Sequence, residues 1–349
     1  MSRGLGDVYK RQCLHLLPFS KNQKVNDMKR LLLFLFSCVL FLQPYCQAQP
    51  LTSEESPVTL STATGDIKGR LLLPANATTC PVVLLIAGSG PTDMDGNNPM
   101  MKNNSLKFLA EGLAQKGIAS LRFDKRGIAG SAAAGKEESK LRFEDYVNDV
   151  TGWIDFLAKD KRFTGITVAG HSEGSLIGML ACQSRPTVKS FISIAGAGSP
   201  AYEIIEKQVA AQMMPESIRK EVADINRSLR NGKEVAQVPA YLQALFRPSV
   251  QPYLISWYKY NPQTVIASLK MPVLILQGKN DIQVKEEDAM LLKKASPKAE
   301  LVLIDKMNHV LKDCESTAPQ QQMAVYNNPS LPVNAALMNA TVRFVNNSK

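Results

Sequence analysis

Apolar positions recur along this chain with two different periods, and the switching between them predicts its elements. Residues 57–74 alternate apolar and polar side chains around Thr64-Gly65-Asp66, the pattern of a β-hairpin. Residues 81–87 form a continuous apolar run, Val-Val-Leu-Leu-Ile at its centre, as expected of a strand buried on both faces. From there helical and strand patterns alternate. The spacing predicts helices over 106–116, 143–157, 175–183, 286–294 and 333–345. It predicts further strands over 118–123, 165–169, 188–194, 272–277 and 301–304. Repeated β-α units of this length indicate an α/β fold with a mainly parallel central sheet and helices on both faces.

The alternation breaks between about 199 and 269. Residues 202–238 read as two or three helices rich in Lys, Arg and Glu, and the stretch after them carries Tyr241, Leu245, Phe246, Trp257, Tyr258 and Tyr260. No strand pattern occurs there. A helical cap inserted after the sixth core strand is the expectation.

Before residue 49 the pattern is different again. Lys29 and Arg30 precede an uncharged run of 12 residues, 31–42, dominated by Leu, Phe and Val, and Cys46-Gln47-Ala48 places small residues at the two positions a signal peptidase reads. A membrane-spanning helix needs roughly 20 residues, so the run is expected to be removed on export and not to anchor the chain. Phe36 ahead of Cys38 and Pro44-Tyr45 ahead of Cys46 disfavour a lipid anchor. Residues 1–27 precede a second Met at position 28 and read as a mis-assigned start or an assembly artefact, not as a domain. The expected organisation is a leader over 1–48, core residues 49–199, a cap over 200–269 and core residues 270–349. The expected destination is periplasmic or secreted.

Removing the leader changes the charge balance. It takes 7 of 41 basic and 2 of 31 acidic residues with it, leaving 34 and 29, a net charge of +5. The remaining bases are interleaved with acids, which describes a solvated surface and not a nucleic-acid stripe. Cys80, Cys182 and Cys314 remain, widely spaced and without a C-x-x-C pair, so a zinc site is not expected.

The strongest chemical signal is Gly170-His171-Ser172-Glu173-Gly174, between a short predicted strand and a predicted helix. A sharp strand-to-helix turn lifts a serine hydroxyl above the sheet, and glycines two residues to either side avoid clashes. Serine needs a base to become a nucleophile, usually histidine. Of the three histidines, His15 lies in the leader and His171 in the elbow itself, which leaves His309. The orienting acid follows the nucleophile in chain order, and Asp281 stands in the loop after the strand 272–277. Asp305 is the competitor, only four residues before His309. Backbone N–H groups of Glu173 and of Ser89 or Gly90 are expected to form an oxyanion hole. Tyr241, Phe246, Trp257 and Tyr258 are the expected aromatic lining of the substrate pocket.

Two acidic stretches remain, Pro91-Thr92-Asp93-Met94-Asp95 and Asp124-Lys125-Arg126-Gly127. With no histidine or thiol beside them, a loop network of Asp93, Asp95 and Arg126 is expected in place of a metal ion. Together the segments Gly88-Ser89-Gly90-Pro91-Thr92-Asp93, Arg122-Phe123-Asp124-Lys125-Arg126-Gly127 and Gly170-His171-Ser172-Glu173-Gly174, with Asn328-Pro329-Ser330-Leu331-Pro332, resemble bacterial α/β-hydrolases close to cinnamoyl esterases and serine aminopeptidases. Met94, Ala129 and Ser175 depart from the pattern, which has Arg, Gly and Gly there; Met94 removes a side chain the pattern would bring to the loop network.

The resemblance covers about 57–349 and is weakest in the cap. It implies the α/β-hydrolase fold and a cofactor-independent serine esterase acting on a small-molecule ester. A peptidase of the same fold is the second reading; it needs a carboxylate for the substrate ammonium, with Glu203, Glu206, Glu216 and Glu221 as candidates. A non-catalytic binding protein is the third, and the intact triad argues against it.

Overall fold

The computed structural model describes residues 53–348. The run 31–42 and the expected cleavage after Ala48 lie outside the described residues. The hairpin is β1 (Glu54–Thr62) and β2 (Gly65–Leu73). There follow β3 (Cys80–Ile86), α1 (Ser105–Gln115), β4 (Ala119–Phe123), α2 (Phe143–Ala158), β5 (Phe163–His171), α3 (Glu173–Cys182) and β6 (Val188–Ile194). The stretch after β6 holds α4 (Ala201–Ala211), α5 (Glu216–Arg230), α6 (Gln243–Phe246), α7 (Gln251–Trp257) and α8 (Pro262–Ser268). The chain returns to the sheet with β7 (Val273–Gly278), α9 (Glu286–Ala295) and β8 (Glu300–Ile304), and ends with α10 (Pro319–Tyr326) and α11 (Ala335–Asn347).

The strands form one sheet in the order β1-β2-β4-β3-β5-β6-β7-β8. β1 and β2 are antiparallel to each other, β2 is antiparallel to β4, and β4, β3, β5, β6, β7 and β8 run parallel. The continuous apolar runs are explained by two cores. Successive side chains of a strand face opposite sides, so Val82, Leu84 and Ile86 enter the core under α2 and α3. Val83 and Leu85 enter the core shared with α1 and α11. β7 divides in the same way, with Val273 and Ile275 on one side and Leu274 and Leu276 on the other.

β3 lies between β4 and β5. Strand order reverses there, and in open α/β sheets such a reversal opens a crevice at the strands' carboxyl ends. The Gly88 loop and Ser172 leave the sheet at this place.

The helix α10 has no counterpart in the apolar periodicity. It begins on Pro319 at its first position. Its buried Gln322 donates from Nε2 to the carbonyls of Ser316 at 2.7 Å and Asn280 at 3.1 Å. Polar contacts with the loop before Asp281 thus hold it, and a search for an apolar stripe passes over such a helix. Among the described residues no helix is long and apolar enough to cross a membrane.

Candidate active site

Ser172 sits between β5 and α3 with φ 55° and ψ −122°, a backbone conformation that costs a non-glycine residue strain energy. Its neighbours show why the turn is so tight. A Cβ on Gly170 would lie 2.1 Å from the Gly174 carbonyl oxygen, and one on Gly174 would lie 2.6 Å from the carbonyl oxygens of Ile86 and Ala87. Backbone meets backbone at both contacts, so only glycine fits. The Ser172 N–H donates to the Ile194 carbonyl at 2.9 Å, tying the elbow to β6.

Asp281 and His309 meet in a buried pair. His309 Nδ1 donates to Asp281 Oδ2 at 2.7 Å, which leaves Nε2 as the acceptor nitrogen. The other oxygen of Asp281 accepts from the backbone N–H groups of Gln283 at 2.7 Å and Val284 at 3.0 Å. Burial pushes the Asp281 carboxyl up, but the charge and hydrogen bond of His309 and the two N–H groups outweigh it. The net effect holds its pKa below the usual carboxylate range. Asp305 is elsewhere: its side chain is 79% exposed and pairs with Lys279 at 2.7 Å.

His309 reaches the serine's side of the sheet through His171. The His171 Nε2–H donates to the His309 carbonyl at 2.8 Å, and the two rings stand 4.8 Å apart, one residue from Ser172. Ser172 Oγ and His309 are not hydrogen-bonded in this structure; base–nucleophile contacts commonly tighten only when substrate is bound.

Burial first, and the His309 charge second, push His171 down to about 3, so it is neutral at pH 7. Between about pH 3 and 6.5 the unfolded chain binds a proton that the folded chain refuses, so stability falls as pH drops through that window. The contribution is at most about 5 kcal/mol. His171→Gln is expected to flatten this dependence. Melting temperatures of both proteins at pH 7 and pH 4 check it, and equal losses on acidification would discard the assignment.

Ser89, Gly90 and Glu173 border the same cavity as Ser172. Glu173 begins α3, so its N–H is one of the unpaired donors at a helix start. Its side chain is buried, paired with Lys125 at 3.3 Å and accepting from Tyr253 Oη at 2.6 Å.

The cavity holds about 480 Å³, with Leu176, Ile204, Ile205, Leu254 and Trp257 among its walls. Of the four aromatics expected to line it, only Trp257 does. Tyr241 is 57% exposed and donates to Glu221. Phe246 is fully buried, packed into the core beneath the inserted helices. Tyr258 is also buried, donating to Asn226 Oδ1 at 2.8 Å. The ring overlooked in the sequence is Tyr253, which stands one helical turn before Trp257 on α7. That i, i+4 spacing was the available signal.

The acidic loops are knit differently from the expectation. Asp95 pairs with Arg122 at 2.8 Å, while Arg126 pairs with Asp149 of α2. Asp93 accepts from the N–H groups of Asp95 and Asn97. Asp124 accepts from the backbone N–H of Met94 at 2.8 Å, a bond indifferent to the side chain there. Ala129 has φ 44°, which accounts for glycine in the resembled pattern. Ser175 fills its place by hydrogen-bonding Ser193 at 2.8 Å.

The parallel sheet, the elbow and the insertion after β6 define an α/β-hydrolase fold. The chain belongs to the family described as serine aminopeptidase, S33, whose model matches residues 103–314, a span containing Ser172, Asp281 and His309. Among curated proteins it is similar to esterase EstD of Thermotoga maritima, 26% identical over 276 residues. That match covers 75% of this chain and 61% of the relative. Among solved structures, Est1E of Butyrivibrio proteoclasticus with ferulic acid bound is similar at a TM-score of 0.57 and 18% identity, over 83% of this chain and 98% of that one. The Pyrococcus furiosus esterase Pf2001 is similar at 0.53 and 14%, over 85% and 94%. At these identities the likeness to solved structures concerns the fold.

Proposed function

We propose that this protein is a serine carboxylesterase acting on small esters whose acyl part is apolar. The observation that carries the reading is the cavity over Ser172. Its walls are mainly aliphatic, and the carboxylate among its lining residues, Glu173, is already held by Lys125 and Tyr253. A peptidase that releases an amino-terminal residue needs a free carboxylate for the substrate ammonium. Glu203, Glu206, Glu216 and Glu221 do not line this cavity. Glu206 accepts from Asn226, and Glu221 from Tyr241. The names of the esterase relatives point the same way.

In this mechanism His309 Nε2 takes the Ser172 proton as Oγ attacks the ester carbonyl. The oxyanion is received by the N–H groups of Glu173 and of Ser89 or Gly90. His309 then returns the proton to the leaving alcohol, and water activated by the same imidazole releases the acid from the acyl-enzyme. Asp281 stabilises the imidazolium at both stages.

A panel of p-nitrophenyl esters of increasing acyl length, run beside aminoacyl p-nitroanilides, tests the reading. The expected result is a higher kcat/KM for esters, with an optimum at an acyl group that fills the cavity. Faster turnover of the anilides would replace it with the peptidase reading.

A further inference from the structure

The segment Asp124-Lys125-Arg126-Gly127 has a purpose beyond closing a loop, and it lies in Lys125. This lysine is 2% exposed although it carries a charge. Its ammonium is surrounded by three partners. Nζ donates to the Gly88 carbonyl at 2.6 Å and to Glu173 Oε2 at 3.3 Å, and it stands 5.1 Å from the centre of the Tyr146 ring, over its face. A buried ion pair is poor evidence of a stabilising role, since desolvation of both charges offsets their attraction. Its two acceptors belong to the two sides of the oxyanion hole in the esterase reading, on which the following rests.

The peptide bond is planar and trans, so the carbonyl of one residue and the N–H of the next point in opposite directions. With the Gly88 carbonyl turned inward to Lys125, the Ser89 N–H is turned outward, and Ser89 borders the cavity with Ser172. An ammonium on the carbonyl also polarises the peptide and strengthens its N–H as a donor. On the other side, Lys125 and Tyr253 hold the side chain of Glu173, whose N–H is the second donor. Burial, and then the charge of Glu173, push the Tyr253 phenol well above its usual range, so it remains a donor at all working pH values. We infer that Lys125 is a positioning residue that aims and polarises the Ser89 N–H, and that the Lys125–Glu173–Tyr253 chain couples the oxyanion hole to helix α7. The inference selects Ser89 over Gly90 as the loop donor.

The test compares the full-length wild type with Lys125→Met, Tyr253→Phe and the doubly substituted Lys125→Met/Glu173→Gln. The double variant leaves no charge buried alone, so it remains informative if the single lysine variant does not fold. Active sites are counted with a fluorophosphonate, and kcat, KM and the Ki of a trifluoromethyl ketone are measured per site. Deleting an oxyanion donor costs about 10²–10³ in kcat; misaiming one is expected to cost about 10- to 100-fold on the same scale. The ketone, which forms an oxyanion on Ser172, should lose affinity by a similar factor while KM stays nearly constant. Tyr253→Phe should shift both quantities in the same direction by less.

A merely structural role would lower the melting temperature and the number of active sites but leave kcat and Ki per site unchanged, and that result overturns the inference alone. A wild type that hydrolyses no ester overturns the esterase reading and this inference with it.

Discussion

Ser172→Ala is expected to lower kcat toward the preferred ester by about 10⁴ or more, and His309→Ala by a comparable factor. In the proposed mechanism the two groups act as one unit, since a hydroxyl without a base and a base without a hydroxyl are equally unable to form the acyl-enzyme. Combining the substitutions should therefore cost little more than either alone. Steady-state hydrolysis across the ester panel checks this, together with loss of fluorophosphonate labelling in Ser172→Ala. The alanine keeps a Cβ at φ 55°, so the backbone strain of the elbow persists and the melting temperature should stay near that of the wild type. Activity within tenfold of wild type in Ser172→Ala would end the acyl-enzyme proposal.

The acid assignment rests on geometry of the same kind. Asp281→Asn should reduce kcat by about 10³–10⁴, because an amide in place of the carboxylate favours the wrong imidazole tautomer and leaves the imidazolium without its counter-charge. Asp305→Ala should leave kcat near wild type, since that carboxylate is exposed and paired with Lys279. The opposite pattern would move the role to Asp305. The pH dependence has a definite sign. The folded Asp281 carboxyl is held below its ordinary value, so its pairing with His309 contributes stability above the unfolded carboxylate pKa, near about 3.9. That contribution is lost only as pH falls through the still lower folded value. Acid-unfolding curves of wild type and Asp281→Asn should accordingly converge toward low pH.

The parts of this protein that local rules govern were legible from its order of residues. Strands buried on both faces need unbroken apolar runs, so β3 and β7 stand out. An elbow this sharp needs Gly170 and Gly174, because a Cβ at either would collide with backbone; the placement of Ser172 follows from that. The pairing of Asp281 with His309 was read from chain order. Tertiary structure decided which polar and aromatic side chains face one another. The spacing of Tyr253 to Trp257 puts both rings on one helical face, but it does not say what they meet: Tyr241 pairs with Glu221 at the surface, while Tyr253 reaches Glu173 at the cavity wall. Arg126 could not be matched to Asp149 by spacing, because that carboxylate lies on α2 and meets the arginine only when the helix packs on the sheet. Lys125, which follows β4, reads as an ordinary loop cation until the parallel pairing of β4, β3 and β5 brings the loop after β3 and the start of α3 to it, with Gly88 and Glu173 as its acceptors. Periodicity reports which face of an element is dry, since that depends on one helix or strand and water. Which partner a buried charge or ring meets depends on elements far apart in sequence, and only their packing determines it.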